Sequence, residues 1–165
     1  MLVGPMGAGK STVGRMLSSR LGFNFVDTDH LIEARTGADI PWIFDVEGES
    51  GFRDRETTIL DSLNGSTQHV IATGGGIVVR EENHQRLRQL GTVVYLTASI
   101  EQLVARTSKD RKRPLLQVAD PKAKIIELLR ARDPMYRKVA DHVVETDGRN
   151  SKWVVSHLCH WLAEA

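Results

Sequence analysis

The stretch Gly4-Pro5-Met6-Gly7-Ala8-Gly9-Lys10-Ser11, continued by Thr12, fits the pattern G-x-x-x-x-G-K-[ST] at every fixed position. Glycines let the backbone curl until successive N–H groups point inward, which makes a concave cradle for phosphate oxygens. A helix starting near Ser11 turns its positive N-terminal end on the same point. Lys10 offers a point charge to the outer phosphates, and the Ser11 hydroxyl is a hard oxygen suited to Mg²⁺. Gly7, Ala8, Gly9, Lys10, Ser11 and Thr12 are therefore the candidate contacts for the phosphates of a nucleoside triphosphate. The pattern carries this meaning only between a strand and a helix. Residues 1–3 read as the strand, and Val13, Met16, Leu17 and Leu21 recur at helical spacing until Gly22 stops the run. Three residues are short for a strand of roughly 5–6, so a few further residues are expected ahead of Met1.

Working outward, residues 23–26, 70–73, 93–96 and 142–145 read as four more strands, rich in apolar and β-branched side chains. Helical segments are expected over residues 31–36, 51–63, 81–90, 99–106, 121–132 and 151–163, with Ser99 as a cap and a turn at Pro41. The alternation predicts an α/β fold, a mostly parallel five-stranded sheet with helices on both faces, in one domain spanning 1–165.

The 165 residues are 41% hydrophobic and 26% charged, enough for one sizeable core. A formal net charge of +1 argues against general affinity for nucleic acid or an anionic membrane surface. The only cysteine, Cys159, allows no internal disulfide and suits a reducing cytosol. No apolar run approaches the roughly 18 residues of a membrane span, and the first residues lack the pattern of a secretory signal. A cytoplasmic monomer is expected.

Asp27 and Asp29 flank Thr28 at the end of the second strand, where open α/β sheets bind their ligands. One carboxylate suits Mg²⁺ through water and the other a substrate hydroxyl, although Asp29 would also serve as a helix N-cap. Gly74, Gly75 and Gly76 follow an apolar strand, as a tight loop or a place where a ring approaches the backbone. Arg53, in Arg53-Asp54-Arg55-Glu56, could equally belong to a solvated helix salt-bridge pattern. Arg106, Lys109, Arg111, Lys112 and Arg113 form a basic run broken by Asp110, and residues 109–114 are expected to be mobile. His157 and His160 lie one helical turn apart. A closed zinc site needs four ligands, so a packing face with Leu158, Trp161 and Leu162 is the better reading.

In this combination the chain resembles the shikimate kinase family. The matching pieces are residues 4–12, Asp27-Thr28-Asp29, Arg35-Thr36-Gly37, Gly51-Phe52-Arg53-Asp54-Arg55-Glu56, the Gly74–Gly76 triplet, Arg113-Pro114-Leu115-Leu116 and Arg132-Asp133-Pro134-Met135-Tyr136. They occur in family order and span almost the whole chain. The resemblance implies strand order 2-3-1-4-5 and a mobile lid over about residues 108–118. It also implies transfer of the γ-phosphoryl of ATP to the 3-hydroxyl of shikimate, a step towards chorismate and the aromatic amino acids. By resemblance Ser11 ligates Mg²⁺ and Asp27 supports the ion through water. Asp29 binds shikimate hydroxyls and is the candidate base, and Arg53 and Arg132 grip the shikimate carboxylate. Gly75 contacts the substrate, Arg113 reaches the phosphates from the lid, and Arg106 and Arg149 pack around adenine. Other small-molecule kinases share the phosphate loop but do not call for the triple glycine with Phe-Arg. A non-catalytic nucleotide-gated module would have lost Lys10, Asp29 or the lid arginine.

Overall fold

The computed structural model describes residues 1–108 and 113–164. Its strands are β1 (Leu2–Val3), β2 (Asn24–Asp27), β3 (His69–Ala72), β4 (Val94–Thr97) and β5 (His142–Glu145), paired in parallel in the order β2-β3-β1-β4-β5. The expected order and class are therefore correct. The two-residue β1 is the central strand, pairing Leu2 with Ala72 and Val94, and Val3 with Tyr95. Its side chains alternate across the pleat as period-2 geometry demands. Leu2 packs with Val13, Leu17, Leu96, Leu103 and Leu158 on one face; Val3 packs with Leu60, Leu87, Tyr95 and Tyr136 on the other.

The helices are α1 (Lys10–Leu21), α2 (Thr28–Thr36), α3 (Ile40–Ser62), α4 (Glu82–Gln89), α5 (Ile100–Thr107), α6 (Pro121–Val139) and α7 (Ser151–Glu164), and all but α2 supply side chains to these two clusters, beside Leu96 and Tyr95 of β4. Burying such leucines contributes about 1.5–3 kcal/mol each. A third cluster, Ile32, Ile43, Phe52, Ile59 and Ile71, packs α2 and α3 against β3. In this way the strand ends bearing Asp27 and Gly74 come to lie beside the phosphate loop.

Three elements differ from expectation. Helix α2 begins at Thr28 rather than residue 31, because Asp27 caps it by accepting from the N–H groups of Asp29 and His30 at 3.1 and 3.3 Å. Pro41 opens a helix rather than a turn: it sits in the first turn of α3, where a missing N–H costs nothing, behind the Asp39 cap. Gly48, at φ +69°, breaks α3 inside, so its first half carried no clean periodicity. Helix α6 runs seven residues past Arg132, through Pro134. Asp133 and Tyr136 are tied into the sheet side of the molecule, and those tertiary bonds outweigh the backbone bond that proline forfeits.

Candidate active site

The loop between β1 and α1 folds tightly against the sheet. A β-carbon at Gly4 would collide with the carbonyl oxygen of Leu96, so only glycine lets the loop pass β4 this closely. Lys10 is buried and donates from Nζ to the carbonyl oxygens of Gly4 and Pro5, at 2.8 Å each. Burial, followed by the charge of Arg113, lowers its ammonium to about 8. A cleft of about 660 Å³ opens over the loop, lined by Gly7, Gly9, Lys10, Ser11, Thr12, Asp27, Asp29 and Arg106 among others. The side chain of Ala8 faces the core instead, which leaves its backbone as its only means of contact. Ser11 Oγ donates to Asp27 Oδ2 at 2.5 Å. One hydroxyl and one carboxylate make a hard-oxygen pair that fits Mg²⁺, an ion that completes its shell from phosphate and water.

Asp29 stands in the first turn of α2 and lines both this cleft and a second pocket beside it. Its Oδ2 lies 3.4 Å from Nη1 of Arg113. Among the described residues, Asp29 Oδ1 and Glu56 Oε1 are buried oxygens that accept no hydrogen bond. Burial raises both carboxyls: Asp29 upward despite Arg113, and Glu56 to about 7 despite Arg53. Both oxygens converge on Gly74, where a β-carbon would press into each of them. The N–H of Gly74 is held by Thr28 Oγ1 at 3.0 Å.

The second pocket is walled by Ile40, Phe44, Phe52, Pro114 and Leu115, with Asp29, Arg53, Glu56, Arg113, Arg132 and Gly74–Gly76 supplying its polar rim. Only about 40 Å³ stands open, room for a few waters. A six-membered ring enters only if part of the wall withdraws. Arg53 is 5% exposed, so the solvated-helix reading does not describe it. Its Nη1 donates to Glu56 at 2.6 Å and its Nη2 and Nε to Glu49 at 2.8 and 3.3 Å. A guanidinium has five N–H donors; these three contacts leave one on each terminal nitrogen, the fork that grips a carboxylate end-on. Arg132 is 7% exposed and, among the described residues, has no carboxylate in an ion pair. The Gly76 backbone abuts the Arg53 guanidinium so closely that a β-carbon would overlap it. Space beside the α-carbons of Gly74 and Gly76 is therefore taken by protein side chains, in keeping with the tight-loop alternative, while all three glycines line the pocket.

Arg113 is described, ahead of the short 3-10 turn Pro114–Leu116, while residues 109–112 of the expected lid lie outside the described residues. Arg106 reaches the loop, donating to the Gly7 carbonyl at 3.0 Å and to Gln102 at 2.6 Å. Arg149 stacks on Trp153 at 4.4 Å and is not among the residues lining the cleft. His157 meets His142, with ring nitrogens 3.2 Å apart, rather than His160, which pairs with Glu164. Among the described residues no helix is long and apolar enough to cross a membrane. Sequence reasoning assigned no role to Glu56, Thr28 or Tyr136. Glu56 had one available signal, its place one helical turn after Arg53.

A phosphate-loop cleft joined through one carboxylate to an arginine-rimmed pocket, on a parallel sheet of order 2-3-1-4-5, defines a P-loop small-molecule kinase. The family model described as shikimate kinase matches residues 6–163. The shikimate kinase of Pseudomonas syringae pv. syringae (strain B728a) is 57% identical over 164 residues, covering 99% of this chain and 95% of that protein. That of Chromohalobacter salexigens is 56% identical over 158 residues, covering 96% and 88%. The solved shikimate kinase from Acinetobacter baumannii in complex with shikimate superposes with a TM-score of 0.96 at 48% identity, covering 99% of this chain and 91% of that one. The chain belongs to the shikimate kinase family.

Proposed function

We propose that this chain transfers the γ-phosphoryl group of ATP to the 3-hydroxyl of shikimate, giving ADP and shikimate 3-phosphate. The observation that carries the reading is the position of Asp29, shared between the phosphate-loop cleft and the arginine-rimmed pocket, with a buried oxygen that accepts nothing from the described residues. The buried Arg132 and the open fork of Arg53 call for an anionic substrate, and the carboxylate of shikimate meets that demand.

In the reaction the 3-hydroxyl oxygen attacks the γ-phosphorus as the bond from that phosphorus to the β–γ bridging oxygen breaks. The bonding pair leaves with ADP, and the hydroxyl proton passes to Asp29. The transition state is loose, so Asp29 chiefly orients the alcohol and accepts its proton late. A carboxyl raised by burial holds that proton better than an ordinary aspartate. Lys10 and Arg113 offer positive charge where the phosphoryl oxygens gather negative charge. Mg²⁺ bound with the nucleotide would neutralise phosphate charge, and Ser11 and Asp27 are the residues to hold it. Arg106 is the adenine-side contact that the geometry favours; Arg149 serves only after leaving Trp153. The reading includes a cytoplasmic, monomeric single domain, in keeping with the lone cysteine.

The test is direct. Purified protein with ATP, Mg²⁺ and shikimate should yield ADP and shikimate 3-phosphate by mass spectrometry, with no product when Mg²⁺ is chelated. Folded protein that forms no phosphorylated shikimate overturns the reading.

A further inference from the structure

Tyr136 lies one helical turn beyond Arg132 on α6 and is fully buried. Its hydroxyl donates to the carbonyl oxygen of Gly75, the middle glycine of the triplet. Burial pushes this phenol well above its ordinary pKa, and the neighbouring Arg132 cation opposes the shift, so it stands as a neutral donor beside that arginine. Tyr136 does not line the substrate pocket. It lies behind it, with Pro5, Met6, Leu129 and Arg132 around a small cavity under the phosphate loop. From there it can act on substrate only through what it holds.

Besides its contact with Arg132, it holds a peptide with two consequences. Every peptide described is trans, so the C=O of Gly75 and the N–H of Gly76 point in opposite directions. Fixing the carbonyl on Tyr136, behind the pocket, turns the Gly76 N–H to the pocket side. Among the described residues the N–H groups of Gly75 and Gly76 have no acceptor. Gly75 also stands between substrate pocket and phosphate loop, its open side facing the Met6 N–H and the Gly4 carbonyl at about van der Waals distance.

Resting on the shikimate kinase reading above, we propose that Tyr136 is a positioning residue. It aims the Gly76 N–H at the substrate and sets the spacing between acceptor hydroxyl and phosphate loop.

Tyr136→Phe removes one oxygen and keeps the ring that packs on Tyr95. One misdirected hydrogen bond should raise KM for shikimate about 5- to 10-fold. The value of kcat should fall by a smaller factor, and KM for MgATP should not change. Tyr95→Phe is the control, because it deletes a neighbouring hydroxyl that donates to Asp133 at 2.8 Å instead. It should leave both KM values alone. In ¹⁵N-labelled wild type, the Gly76 amide resonance should move on adding shikimate alone, a readout that needs no variant. An unchanged KM in Tyr136→Phe, an equal rise in Tyr95→Phe, or a Gly76 amide indifferent to shikimate overturns the inference while leaving the kinase reading intact. Wild type that fails to phosphorylate shikimate overturns both.

Discussion

Nη1 of Arg113 lies 3.4 Å from Oδ2 of Asp29, the carboxylate proposed to accept the substrate proton. Both residues line the cleft and the pocket, and the substrate hydroxyl must come between them for the reaction to begin. In the proposed reaction Arg113 would have two tasks: pairing with Asp29 first, with phosphate later.

Arg113→Gln should lower kcat by about 10²-fold or more, the usual loss when one preorganised charge is taken from a transition state. It should also move the acidic limb of kcat/KM. The Arg113 cation favours ionised Asp29, so its removal raises the carboxyl further and shifts that limb to higher pH. A pH–rate profile of wild type and variant reads this directly. A limb that stays still, or moves down, would place Arg113 away from Asp29 in the working enzyme.

The alkaline limb belongs to Lys10. With its ammonium lowered to about 8, the free enzyme should lose kcat/KM for MgATP as pH rises through about 8, because kcat/KM reports the free form. Arg113 is the second cause of that lowering, so Arg113→Gln should carry this limb upward as well. Both limbs moving in one direction is the expected pattern, since one cation destabilises the protonated state of both groups. Bound nucleotide should relieve the effect, leaving the profile of kcat flatter than that of kcat/KM.

How much of this was legible without coordinates differs from element to element. The phosphate loop could be read because each residue type in it answers a local demand, and Asp27-Thr28-Asp29 because strand ends are where such sheets bind. The first half of α3 could not be read, since Gly48 interrupts its period and Pro41 looks like a turn. The end of α6 was hidden by Pro134, an ordinary helix stop overridden here by bonds from Asp133 and Tyr136 to residues distant in sequence. Arg53 was ambiguous for the same reason. Its neighbours in sequence suggest a surface ion pair, and only packing of α3 on β3 buries it.

That burial bears on substrate choice. Arg53 already has Glu49 and Glu56 as partners, so it is a compensated cation rather than a bare one, and Arg132 is the more exacting of the two. Replacing the shikimate carboxylate by a hydroxymethyl should cost about 10- to 10²-fold in kcat/KM, near the lower end for unpairing a buried charge. Arg53→Lys keeps the charge but loses the fork, and its penalty should fall mainly on shikimate and shrink for the neutral analogue. Equal penalties for the two substrates, measured as kcat/KM for both enzymes, would assign Arg53 to the fold alone.

Gly76→Ala tests the same fork from the opposite side. A β-carbon at this position would occupy the space of the Arg53 guanidinium, and a side-chain end yields more readily than backbone. The fold should survive, but Arg53 must turn from the orientation that Glu49 and Glu56 define. Gly76→Ala should therefore copy Arg53→Lys: a loss of about 10-fold or more in kcat/KM for shikimate, as expected for a misplaced bidentate contact, with little change for the neutral analogue or in KM for MgATP. Combining the two substitutions decides the matter. If both act on one fork, the double variant should lose scarcely more than either single one, because coupled sites are not additive. Losses that multiply would mean that the added methyl acts by a route separate from the Arg53 fork, and that crowding of Arg53 is incidental.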